Sequence, residues 1–199
     1  MINKTRADVI NLSDFVRRKT GGKMNGIGLC AIFSRQGDWA FDYALNLARH
    51  HKCKLNIFHF LESPYTLRRD VVFVDAEKTE TVPVSPELIA KKDKELRESF
   101  DDRLGDYVDV GFRLCEGNNE WELRKCFRKG DYEILVIGYN AKNADFGGTT
   151  TIEEFGAKFK GPLVLVGPDQ ADSFYLNAEA EKRIDELLIP EGKWKPIGS

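Results

Sequence analysis

Asp131-Tyr132-Glu133-Ile134-Leu135-Val136-Ile137-Gly138 is a polar turn followed by an unbroken apolar run that stops at glycine. Farther on, Pro162-Leu163-Val164-Leu165-Val166-Gly167 repeats the pattern. Short continuous apolar runs bounded by turn residues indicate strands covered on both faces, as in a parallel sheet. Between them lie the loop Gly138–Thr150 and a helix that starts at Thr149 or Thr150 and ends near Phe159. The loop closes on hydroxyls at a helix N-terminus, where outward-pointing N–H groups favour an anion. Thr150-Thr151-Ile152-Glu153 and Thr151-Ile152-Glu153-Glu154 each also fit a capping box, which accounts for these threonines without a ligand.

Upstream, the same alternation recurs. Ile27–Phe33 reads as the first strand, with a helix from Asp38 to His51 whose apolar face is Phe41, Ala44, Leu45 and Ala48. Lys54–Leu61 is the second strand. His59 within it is flanked by apolar residues and reads as a core or strand-end histidine. Val71–Val74 is a short extra strand or cover segment, broken by Pro83. Ser85 and Pro86 start a charged helix that runs to Leu104, with Leu88, Ile89, Leu96 and Phe100 inward. Val108–Cys115 is the third strand and Glu120–Arg128 the next helix. The order is therefore β-α-β-α-β-α-β-α-β. It specifies an α/β fold with a Rossmann-like, five-stranded, mainly parallel sheet and helices on both faces. In such sheets ligands sit at the carboxyl ends of the strands, where the winding reverses.

Three segments follow: an N-terminal extension over 1–25, a central domain over 26–168, and a C-terminal helix and tail over 169–199. The first contains an amphipathic stretch with Leu12, Phe15 and Val16 on one face. In the last, Leu176, Ala180, Ile184, Leu187 and Leu188 are spaced as a helical stripe that Pro190 stops, and Trp194 is an anchor in a polar tail.

The chain has 199 residues and a net charge of -2, so no global basic field exists to hold nucleic acid. No apolar run approaches the roughly 20 residues of a membrane helix, and the N-terminus lacks the apolar core of a signal peptide. The expectation is a cytoplasmic protein that binds neither nucleic acid nor membrane. The four cysteines form no C-x-x-C pair. His50-His51-Lys52-Cys53 is a helix end, with no second cluster to complete a metal shell. No G-x-x-x-x-G-K-[S/T], G-x-S-x-G or H-E-x-x-H motif is present, and no catalytic residue stands out.

Three pieces together resemble the universal stress protein family over about residues 26–167. They are Ala31-Ile32-Phe33-Ser34 leading into the Trp39–Ala48 helix; Cys115-Glu116-Gly117 leading to Asp131–Gly138; and Gly138, its loop, the capped helix and Gly161–Val166. The resemblance implies strand order 3-2-1-4-5, with ATP or another adenine nucleotide held between strands one and four in nucleotide-binding members. They use G-x-x-G-x9-G-[S/T] after strand four and an Asp at the end of strand one. On this chain the implied site residues are Phe33, Ser34, Gly138, Tyr139, Gly148, Thr149 and Thr150. The chain departs from that pattern: Ala141 replaces the second glycine, Thr149-Thr150 replace the Gly-Ser pair, and Ile32 replaces the acid. A Cβ at position 141 takes room beside phosphates, and Ile32 offers no acceptor to a ribose.

The resemblance also implies a homodimer through the Pro162–Val166 edge strand; the terminal extensions, which it does not cover, are expected either to reinforce that dimer or to recruit another protein. The reading that follows is a non-enzymatic stress-response or regulatory protein with a degenerate nucleotide crevice. The alternative is an ATP/AMP-binding switch or slow ATPase that uses the loop after strand four.

Overall fold

The computed structural model describes residues 24–63, 70–75, 77–115, 119–140, 145–146 and 150–198. In chain order the elements are β1 (Gly26–Cys30), α1 (Arg35–His51), β2 (Lys54–Phe60), β3 (Val71–Phe73), β4 (Thr81–Pro83), α2 (Pro86–Leu104), β5 (Val110–Cys115), α3 (Asn119–Lys129), β6 (Ile134–Gly138), β7 (Asp145–Phe146), β8 (Thr150–Thr151), α4 (Ile152–Lys158), β9 (Leu163–Val166), β10 (Phe174–Leu176), α5 (Ala178–Glu181) and β11 (Trp194–Pro196). A 3-10 turn, Ile184–Glu186, lies between the last two. The amphipathic stretch around Leu12, Phe15 and Val16 lies outside the described residues.

The main sheet has the order β11-β10-β9-β6-β1-β2-β5. Its five central and right-hand strands, β5-β2-β1-β6-β9, are parallel and stand in the expected 3-2-1-4-5 order. The winding reverses between β1 and β6. Every residue of β1, β6 and β9 is buried, as their unbroken apolar runs require.

Two hydrophobic layers sandwich the sheet. Ile27, Leu29, Leu55, Ile57, Ile134 and Val136 face α1 and α2, meeting Ala40, Phe41, Leu47, Leu96 and Phe100. Their strand neighbours Cys30, Phe58, Leu135 and Ile137 point the other way, to Leu123 and Cys126 of α3 and Phe155 of α4. Each such fully buried side chain removes apolar surface worth about 2 kcal/mol. Arg103 couples α2 to α1: its guanidinium lies 4.3 Å from the centre of the Phe41 ring and reaches Asp38 at 2.6 Å and Asp42 at 2.9 Å. Ser85 caps α2 by accepting the Leu88 N–H at 3.2 Å, with Pro86 in the first turn, as its sequence indicates.

The C-terminal segment differs from the helix expected there. Leu176 belongs to β10, and only four residues of α5 and the short 3-10 turn are helical. The cause is burial. As a strand, Phe174-Tyr175-Leu176 pairs antiparallel with β9, placing Phe174 and Leu176 in the core, and Ala180 and Leu187 still reach it from the turns that follow.

This pairing also corrects the expected dimer edge. The outer side of Pro162–Val166 is not open: Val164, Leu165 and Val166 lie opposite Leu176, Tyr175 and Phe174 of the same chain. Trp194 is anchored on its own domain, paired with Phe174 in β11 and half-buried against the core. On this side the sheet therefore ends at β11, where Pro196 and two lysines at 193 and 195 guard the edge.

Candidate functional site

The carboxyl ends of β1 and β6 meet at the winding reversal, and α1 starts between them. Ser34 is the N-cap of α1: its Oγ accepts the Gly37 N–H at 3.1 Å. The helix thus begins at Arg35, one turn before the Asp38 expected from periodicity alone. This first turn is driven hard against strand ends. A Cβ at Gly37 would lie 1.7 Å from the Ile32 carbonyl oxygen. A Cβ at Gly138 would lie 2.6 Å from the Gln36 carbonyl and from the Gly37 nitrogen. Gly138 therefore makes room for protein backbone.

Gln36 ties this first turn to a second loop. Its Nε2 donates to the Pro168 carbonyl at 3.0 Å, joining α1 to the turn after β9. Gly167 in that turn has φ +116, and a Cβ on it would meet the Tyr139 carbonyl at 2.8 Å and Gln36 Cγ at 3.1 Å. Gln36 carried no signal in the sequence, because a polar residue in a first helical turn is ordinarily solvated.

Of the residues expected to share a ligand, Ser34 and Gly138 meet at the start of α1, and Phe33 and Tyr139 turn to opposite sides of the sheet. Phe33 is 60% exposed, its ring edge-on to His59 at 4.9 Å and stacked near Phe100 at 6.2 Å, on the α2 side of the sheet. Ile32 beside it is 38% exposed. Tyr139 turns to the α4 side, T-shaped against Tyr175 at 5.2 Å. Its hydroxyl donates to the Glu153 carboxylate in the first turn of α4. Burial, reinforced by that carboxylate, pushes the Tyr139 hydroxyl up to about 12.

Thr150 lies in β8, opposite Phe146 of β7, so the segment after β6 contains a small antiparallel pair. The cap of α4 is Thr151, whose Oγ1 accepts the Glu154 N–H at 3.1 Å. The helix starts later than expected because residues 150–151 are held as strand. Gly148 and Thr149 lie outside the described residues.

His59 behaves as a strand-end histidine: its Nδ1 donates to the Ala31 carbonyl at 3.2 Å. Its pKa is lowered, chiefly by burial and further by Lys92, against the opposing effects of the Ala31 bond and Glu62. At the opposite, amino ends of the strands lies an open cavity of about 410 Å³, lined by Asn25, Lys54, Asn56, Phe58, Arg113 and Asp131 among others. Arg113 there pairs with Asp131 at 3.1 Å. All four cysteines are buried free thiols. Among the described residues no group of His, Cys, Asp and Glu is arranged to hold a metal, and no helix is long and apolar enough to cross a membrane.

Among solved structures, similarity extends to a protein of the universal stress protein family from Burkholderia pseudomallei. That match has 20% identity, covers 74% of this chain and 100% of that one, and has a TM-score of 0.46. The protein UspA from Lactobacillus plantarum matches at 11% identity over 74% of this chain and all of that one, with a TM-score of 0.47. An Arabidopsis thaliana family protein with AMP bound matches at 15% identity over 74% of this chain and 97% of that one, with a TM-score of 0.43. No family model and no curated protein sequence matches the chain.

Proposed function

We propose that this chain is a non-enzymatic, cytoplasmic regulatory protein of the universal stress type, in which the nucleotide crevice is closed by the protein itself. The observation that carries this reading is the packing of Gly138 on the Gln36–Gly37 backbone, where a Cβ would come within 2.6 Å. The glycine expected to admit phosphates admits the start of α1 instead. Supporting it, the Ser34 and Thr151 hydroxyls are engaged in helix caps, Tyr139 is bound to Glu153, and Ile32 stands where an acid is expected. Signal transmission then rests on protein contacts, with the apolar stretch of Leu12, Phe15 and Val16 as the appended partner-binding element.

A second reading, an adenine-nucleotide switch, is favoured by the exposed Phe33 ring beside His59, an aromatic surface suited to a base. Thermal denaturation with ATP and Mg²⁺, and separately with AMP, separates the two. The first reading expects no stabilisation at millimolar nucleotide. A ligand at a hundredfold its dissociation constant adds about 2.7 kcal/mol, and a shift of that size moves the assignment to the second.

A further inference from the structure

The two ends of the main sheet are unlike. At one, β11 is short and carries Pro196 beside lysines. At the other, β5 is a proline-free strand of six residues whose outer side has no strand partner among the described residues. Such an edge presents a row of unpaired backbone groups to another strand. We propose that β5 pairs antiparallel with β5 of a second copy, about a two-fold axis through Gly111.

The outward groups are fixed by the inner ladder. The Asp109 carbonyl accepts from Leu55 N–H at 2.9 Å and the Cys115 carbonyl from Leu61 N–H at 3.0 Å. By alternation, Asp109, Gly111, Arg113 and Cys115 turn their backbones to β2, and Val110, Phe112 and Leu114 turn theirs outward. Centred on Gly111, the pairing sets Phe112 N–H on the Val110 carbonyl of the second copy and Leu114 N–H on its Val108 carbonyl, each repeated by symmetry. The reciprocal bond, from the Val110 N–H to the Phe112 carbonyl of the second copy, requires that N–H to leave the Val108 carbonyl it now meets at 3.0 Å.

The side chains select this register. Arg113 falls opposite Asp109 of the second copy at both ends of the strand, and cross-strand pairs of opposite charge are favourable. Both side chains belong to exposed residues, and Arg113 is already held over that face by Asp131 at 3.1 Å. A slip of two residues in either direction sets Arg113 opposite Gly111 or Tyr107 and loses the charge match. On the other face Val110 meets Phe112, and Val108, 89% exposed in the single chain, meets Leu114. Gly111 occupies the centre, a non-hydrogen-bonded position where the two backbones come nearest and a side chain is least welcome. The match is isologous, as a closed dimer demands.

The test is the mass of the full-length protein by light scattering across a dilution series, with D109R, R113D and the charge-swapped double variant. A dimer is expected for the unaltered chain, a shift toward monomer for each single variant, and recovery in the double. Register is read by oxidising D109C and R113C variants: each stays uncrosslinked alone, and a mixture of the two forms a disulfide-linked dimer. Circular dichroism confirms that each variant is folded. A chain that stays monomeric throughout, binding of a different protein at β5 in place of self-association, or a dimer that ignores D109R and gives no mixed crosslink would each overturn the proposal.

Discussion

The side chain of Asn177 accepts the amide proton of Leu163 at 2.9 Å. The same oxygen accepts the Ala180 N–H at 3.0 Å, and Nδ2 donates to the Gly161 carbonyl at 2.9 Å. One side chain, only 6% exposed, thus fastens the C-terminal segment to the start of β9 and caps α5.

Replacing it leaves several buried polar groups without partners, at about 1–3 kcal/mol each. Asn177→Leu is expected to lower stability by about 3 kcal/mol, as measured by urea unfolding. The same variant should weaken the cover over β9, and self-association of the unfolded segment's neighbours would appear as a concentration-dependent transition.

Gly138→Ala tests whether that glycine serves the fold. Its Cβ meets backbone on α1 at 2.6 Å, so the strain cannot be relieved by a rotamer change. A loss of about 2 kcal/mol is expected with no nucleotide present. A stable variant that differs only in nucleotide binding would return the residue to a ligand role.

The threonines at 150 and 151 separate by a single measurement. Thr151→Ala removes the hydroxyl that accepts the Glu154 N–H and should cost about 1 kcal/mol. Thr150→Ala, in the small β7–β8 pair, should cost less. Thermal melts of both variants under identical conditions check the order.

His59 makes the folded protein acid-sensitive. Its pKa is lowered on folding, so below the unfolded value of about 6.5 the unfolded chain binds the extra proton and the folded chain resists it. Stability is therefore expected to fall as pH drops through about 6.5, and to level off once the folded imidazole also titrates. His59→Gln should flatten that part of the curve of unfolding free energy against pH.

β1, β6 and β9 were legible because each is a short run buried on both faces that leaves no competing period, and β2 and β5 because apolar residues alternate along them with polar ones or glycine. Gly138 was legible as a close-approach position, yet its neighbour was not: a glycine reports that something comes near, and cannot report whether that is phosphate or the backbone of Gln36. The C-terminal strands were hidden. Leu176, Ala180, Ile184 and Leu187 have helical spacing, and only the vacant side of β9 makes a strand the better way to bury Phe174 and Leu176. The two overlapping capping boxes were chemically equivalent, and the choice of Thr151 came from pairing between residues 145–146 and 150–151.

By itself, the amino-acid sequence determined the α/β class, the succession of strands and helices along the chain and the Ser85 cap, because local periodicity and turn chemistry suffice for each; the 3-2-1-4-5 order came from the family resemblance. The tertiary structure alone decided three things: that the edge of β9 is covered in cis, that the start of α1 packs on Gly138 at the winding reversal, and that, among the described residues, the proline-free end of the sheet lies at β5. Those depend on which surfaces remain vacant after the core has packed, and long-range packing leaves no periodic mark on the chain.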